Sequence, residues 1–181
     1  LGIEREGTVD ELEVGAFFGY GSSRGRGAHR GHLCRTALGR GPYEDEIKSQ
    51  AAQSGLKNLT LTGHLSGDAL RDAIRGCMAV VIPSEWYENC PLALIEAYAY
   101  GKPVIGAKIG GLGDMVIDGE TGYQFEAGNV DALSDTLTKA VGDPARLEAM
   151  GRKAREVAEA QYGAESQYQM IMEIYRGLVR N

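Results

Sequence analysis

No stretch of this sequence approaches the ~18–20 consecutive apolar residues that cross a bilayer, so it offers no transmembrane helix. Cysteine is scarce. Cys34, Cys77 and Cys90 form no C-x-x-C pair and cannot make an even disulfide framework, which points to a reduced, cytoplasmic setting. Positive charge is in deficit, with 19 Lys and Arg against 25 Asp and Glu. A net charge of −6 argues against nucleic acid as the main partner. Metal-ligand spacing is missing: His29-x-x-His32 has no Cys or carboxylate neighbour at zinc spacing, and His64 stands apart. No metal and no cofactor are therefore expected. There is no G-x-S-x-G nucleophile elbow and no phosphate-binding loop ending in Gly-Lys-Ser/Thr, which excludes two large enzyme classes.

What the chain has is core and glycine. Its 181 residues are 43% hydrophobic, enough for one domain with a full core. Its 26 glycines are about twice the usual share. Residues 1–14 carry five acids and no apolar centre; they read as a linker rather than a secretory signal. Residues 15–181 read as the domain. Within it, residues 14–43 hold five Arg and no Asp, Glu or Lys, and Gly19 to Gly41 contains seven glycines. Residues 19–40 show neither apolar period, so they are read as irregular.

From Tyr43 the pattern is orderly. Helices are predicted over 43–54, from a Ser66 cap to Gly76, over 91–100, and as a short piece over 114–117. Strands are predicted over 58–62, 78–83, 103–107 and 123–125, two of them as continuous apolar runs buried on both faces. Asp118-Gly119 marks a turn. Three tail helices follow: 130–141, one capped by Asp143-Pro144 with the stripe Leu147, Met150, Ala154, Val157 and Ala158, and a last one. The last carries Tyr168, Ile171, Tyr175 and Leu178 on one face, read as core or domain contact. Strands alternating with helices predict an α/β domain: a parallel sheet with helices on both faces and ligands at the carboxyl ends of its strands.

The richest such end follows Pro83. Glu96 is the only charge on an otherwise apolar helix, so burial and a partner are expected. Two partners stay open: an internal salt bridge or loop hydrogen bond, or the hydroxyls of a ribose. Glu88 precedes the helix by a few residues. It is either a solvated loop acid or, with Trp86, Tyr87 and Cys90 crowding round, a partly enclosed one. The amides of Cys90 and Leu92 open the helix and favour a phosphate, whereas Pro91 has no donor. The Lys108-to-Asp114 loop lets backbone approach a ligand closely, but as a pattern it equally fits an ordinary strand-to-helix turn.

Together these residues resemble the carboxyl-terminal, nucleotide-sugar-binding half of the family 4 (group 1) glycosyltransferases, of GT-B fold. The resemblance covers residues 38–176. It rests on Glu88 and Glu96 as an E-x7-E pair, on Gly39-x-Gly41-Pro42, on Gly101-Lys102-Pro103-Val104-Ile105, on Gly110-Gly111 and on Gly119-Glu120-Thr121-Gly122. It implies a Rossmann-like domain performing retaining transfer from a nucleoside-diphosphate sugar without a metal. Glu96 would hold the ribose. Glu88, the candidate catalytic residue, would meet the donor sugar, and the Asn89, Cys90, Pro91 and Leu92 backbone would meet sugar or phosphate. Gly63 would border the base, and Gly110 and Gly111 the donor. Asp114 stands where relatives often have Glu. The acceptor, a glycan, lipid or small molecule, would be held by an amino-terminal domain that this sequence does not contain. Peripheral membrane contact is open to such a full enzyme.

Where the family carries G-R-L-x-x-x-K-G, this chain has Gly19 to Gly27. Its Arg26-Gly27 is an imperfect stand-in for the diphosphate-binding Lys-Gly. The break between family-like flanks is what a reading-frame slip in the source sequence would produce. Codons TCG-TCT-CGA-GGA for Ser22 to Gly25, read one base later, give Arg-Leu-Glu. Two other readings stand beside the enzyme: a non-catalytic nucleotide-sugar-binding fragment, and a Gly/Arg arm that binds nucleic acid.

Overall fold

In a computed structural model, the structure describes residues 15–20, 33–38, 44–55 and 59–179. Residues 1–14, the Gly39-x-Gly41-Pro42 string, Arg26 and the proposed frame slip at residues 22–25 lie outside them.

The chain runs β1 (Gly15–Tyr20), β2 (Leu33–Leu38), α1 (Glu44–Gln53), β3 (Leu59–Leu61), α2 (Gly67–Gly76), β4 (Ala79–Ile82), α3 (Leu92–Ala99), β5 (Val104–Ala107), α4 (Gly110–Met115), β6 (Gly122–Phe125), α5 (Val130–Gly142), α6 (Pro144–Gln161) and α7 (Ala164–Val179). The strands form one sheet in the order β3-β2-β1-β4-β5-β6.

Two readings of the amino-terminal part need correction. Gly19, Tyr20 and Leu33–Leu38 are strand, not irregular. The sheet is parallel in five strands, but β1 runs antiparallel to both β2 and β4, in the register Gly15↔Leu38 and Ala16↔Val81. A parallel β1–β2 pair needs a crossover, usually a helix. An antiparallel pair does not require one.

Beyond β3 the elements form for the reasons their sequences suggest. All four residues of β4 and of β5 are buried, as continuous apolar runs should be. The end of α3 is a Schellman motif: the Lys102 amide donates to the Ala97 carbonyl at 2.9 Å, and the Gly101 amide to Tyr98 at 2.9 Å. Gly101 sits at φ +66°, where a side chain would be strained. The Lys102 ammonium then donates to the Cys77 carbonyl at 2.8 Å, tying this corner to the entry of β4.

Asp143 caps α6 by accepting from the Arg146 amide at 3.0 Å, and the stripe from Leu147 to Ala158 is buried against α3 and β6. Ser66 occupies the N-cap position of α2, but its hydroxyl makes no capping bond. Helix α4 begins four residues earlier than the sequence suggests, inside the glycine loop. On α7, Tyr168, Ile171, Tyr175 and Leu178 are exposed, so this face is not core.

Candidate functional site

Two loops at the carboxyl end of the sheet, after β4 and after β5, are joined by their backbones. The Gly111 amide donates to the Glu88 carbonyl at 2.7 Å. A Cβ on Gly111 would lie 2.8 Å from the Glu88 oxygen and collide outright with the Asn89 carbonyl. Gly110, at φ +50°, lies against the Tyr87 and Glu88 backbone. This packing starts α4 early: without side chains, Gly110 and Gly111 can enter a helical turn while touching the neighbouring loop. Their closeness is thus used on protein backbone.

Glu88 is half-buried. Its amide donates to the Trp86 carbonyl at 3.0 Å, and its carboxylate accepts from the Ser84 hydroxyl at 3.0 Å. Trp86 and Tyr87 do not enclose it; they are 49% and 84% exposed, and Cys90 is exposed as well. The end of α6 lies near this loop. Burial, and secondarily the neighbouring Cys90 thiol, push the Tyr162 hydroxyl above its usual range. Pro91 is buried and serves as N-cap of α3, and no side chain caps the helix, so its first amides carry no side-chain acceptor.

Glu96 corrects a second expectation. It is exposed, not buried. Helix α3 buries Leu94, Ala97 and Tyr98, while Leu92 (71% exposed), Ala93 and Glu96 share the open face. Positions i, i+1 and i+4 fall on one side of a helix, and here that side is not covered by the domain. Among the described residues no side chain pairs with the Glu96 carboxylate. Of the two partners left open, the internal salt bridge or loop hydrogen bond is not made there, and an apolar composition all round the helix did not mean burial all round.

Gly63 follows β3 at φ +66°, half-buried, its carbonyl accepting from Thr62 Oγ1 at 3.2 Å. Asp114 is exposed on α4.

Sequence reasoning passed over two residues here. Ser84, four residues before Glu88, was signalled only by its place after a buried strand. Lys108, exposed at the end of β5, has no hydrogen bond or ion pair through its side chain among the described residues. The other Lys and Arg side chains from β3 to β6 are engaged: Arg71 with Asp68, Arg75 with Asp72 and the Tyr100 ring, Lys102 with Cys77.

The Gly119-to-Gly122 string is structural. Thr121, fully buried, accepts from the Tyr98 hydroxyl at 2.6 Å and from the Ile117 amide at 2.9 Å. Burial pushes the Tyr98 hydroxyl up to about 12, against a lowering by Thr121. Among the described residues no group of three or more His, Cys, Asp or Glu could hold a metal ion, and no helix is long and apolar enough to cross a membrane.

The sequence model of the family described as "Glycosyl transferases group 1" matches residues 35–157, more than half of the chain. Glycogen synthase of Mycobacterium tuberculosis is 34% identical over 122 residues, covering 67% of this chain and 29% of that protein. Among solved structures, sucrose-phosphate synthase from Thermosynechococcus elongatus superposes with a TM-score of 0.68 at 28% identity, over 79% of this chain and 38% of that one. Anabaena HepE, solved with UDP-glucose, has the same fold, with a TM-score of 0.68 at 23% identity over 77% and 40% of the two chains. The chain spans about a third of the length of the curated relatives it matches. It belongs to the group 1 glycosyltransferases.

Proposed function

We propose that this domain binds a nucleoside-diphosphate sugar and serves retaining glycosyl transfer as the donor-binding part of the enzyme. The observation that carries this reading is the pair of acids flanking the uncapped start of α3. Glu88 is fixed in the loop with a half-buried carboxylate, and Glu96 faces outward with no protein partner among the described residues. An exposed acid on an otherwise apolar helix suits ribose hydroxyls, the helix amides suit a phosphate, and a held carboxylate suits sugar hydroxyls. Lys108 offers a free charge at the same end of the sheet. Gly63 borders the base, and the Asn89-to-Leu92 backbone lies along the diphosphate.

Chemistry in this reading is electrostatic. The bond between the anomeric carbon and the diphosphate breaks as an acceptor hydroxyl attacks, the hydroxyl proton passes to the departing diphosphate oxygen, and helix amides and cations stabilise the departing charge without a metal. Acceptor binding, to a glycan, lipid or small molecule, falls to residues outside the matched segment, in a cytoplasmic setting. Positioning of two reactants can be worth ~7–11 kcal/mol of barrier, so this chain alone should bind donor yet transfer negligibly. Calorimetry with UDP-, ADP- and GDP-sugars, paired with a transfer assay on simple acceptors, tests this. Donor binding with negligible transfer is expected. Rapid transfer by this chain would refute the division of labour, and nucleic-acid binding in place of nucleotide-sugar binding would favour the Gly/Arg-arm reading.

A further inference from the structure

We infer that Ser84 is the positioning residue of the Glu88 carboxylate, fixing one carboxylate oxygen so that the other is presented to the donor sugar. This rests on the reading that Glu88 meets that sugar.

Ser84 lies two residues past the end of β4. Its hydroxyl has a single proton and spends it on Glu88 Oε1, at 3.0 Å. The Ser84 hydroxyl oxygen itself accepts from the Trp86 amide at 3.3 Å, which sets the direction of the hydroxyl. The Glu88 main chain is already held at both ends, its amide by Trp86 and its carbonyl by Gly111. What remains free is the side chain, with three torsions between backbone and carboxylate. The Ser84 bond removes that freedom. Glu88 has no ion pair among the described residues, and its Oε2 has no hydrogen-bond partner there. One oxygen is thus anchored to the residue two places past β4 and the other is available. The Trp86 bond acts on the backbone of the turn, whereas the donation to Glu88 acts on its side chain. Catalytic and binding groups work when supporting residues lock their rotamers in this way.

The test compares the affinity of a nucleoside-diphosphate sugar with that of the same nucleoside diphosphate lacking the sugar. UDP-glucose with UDP, ADP-glucose with ADP, and GDP-mannose with GDP are the pairs, read by calorimetry and by the fluorescence of Trp86, the single tryptophan. Ser84→Ala is expected to weaken the sugar nucleotide about five- to tenfold and the diphosphate less than twofold. Ser84→Thr, which keeps the hydroxyl, should restore the ratio. Ser84→Cys, which keeps the packing with a weak donor, should behave like Ala. In the double variant with Glu88→Gln, the loss should not exceed that of Glu88→Gln alone, since both act through one carboxylate. Equal weakening of both ligands by Ser84→Ala would reduce Ser84 to a fold role and overturn the inference. So would an unchanged ratio while Glu88→Gln lowers it. If Glu88→Gln itself leaves every ratio untouched, the reading of Glu88 falls and the Ser84 role falls with it.

Discussion

The amide of Gly111 donates to the carbonyl of Glu88 at 2.7 Å, so the loop after β5 holds the loop after β4 in place. Any side chain at Gly111 would have to displace the Glu88–Asn89 backbone. Gly111→Ala should therefore destabilise the domain by about 1–3 kcal/mol, the usual cost of forcing atoms into a filled space. Denaturant unfolding measures the loss, and nucleotide-sugar affinity should fall with it. A variant as stable as the parent would show that the two loops are not coupled.

Glu96 makes the opposite prediction. It is exposed and makes no side-chain bond to the described residues, so Glu96→Gln should change stability by no more than about 0.5 kcal/mol. Nucleotide affinity should nevertheless fall at least tenfold, because a charge-assisted bond to a ligand hydroxyl is worth ~1.5–3 kcal/mol. Unchanged affinity in calorimetry would remove Glu96 from the site.

Alkaline pH should weaken the fold through two buried groups. Burial pushes both the Cys77 thiol and the Tyr98 hydroxyl up to about 12, from 9.0 and 10.0. Each is protonated in the folded chain where the unfolded chain would already have lost its proton. Their contribution is whole below pH 9, and it falls as pH rises from the unfolded values towards about 12. The slope is about 1.4 kcal/mol per pH unit for each titrating group. Urea unfolding from pH 8 to pH 11 should show it, with Cys77→Ala flattening the part that begins near pH 9. An equal slope in the variant would contradict the assignment.

Much of this was legible in the sequence, for particular reasons. A continuous apolar run such as Ala79–Ile82 has few alternatives to a buried strand. The Leu147-to-Ala158 stripe and its Asp143 cap are local signals, complete within one helix. Gly101-Lys102-Pro103 is a helix stop written in three residues. What was not legible depends on partners distant in sequence. The reversal of β1 is set by pairing with β2 and β4. The exposure of Glu96 depends on which side of α3 the domain leaves uncovered. The role of Ser84 needs the shape of a loop that no periodicity describes.

Donor binding should not need a divalent metal, since helix amides and Lys108 supply the positive end for the diphosphate. Calorimetric titration in EDTA should give the same affinity as in magnesium or manganese. Binding only with the metal would contradict the electrostatic scheme.

The central claim, that this domain holds a nucleoside-diphosphate sugar, is tested most directly by thermal unfolding of the intact chain with a panel of UDP-, ADP-, GDP- and dTDP-sugars. At ~100 times its dissociation constant, the matching donor should add about 2.7 kcal/mol of stability and raise the melting temperature by several degrees. One base should stand out from the others. A panel in which no nucleotide sugar shifts the transition, at concentrations up to the millimolar range, would contradict the account.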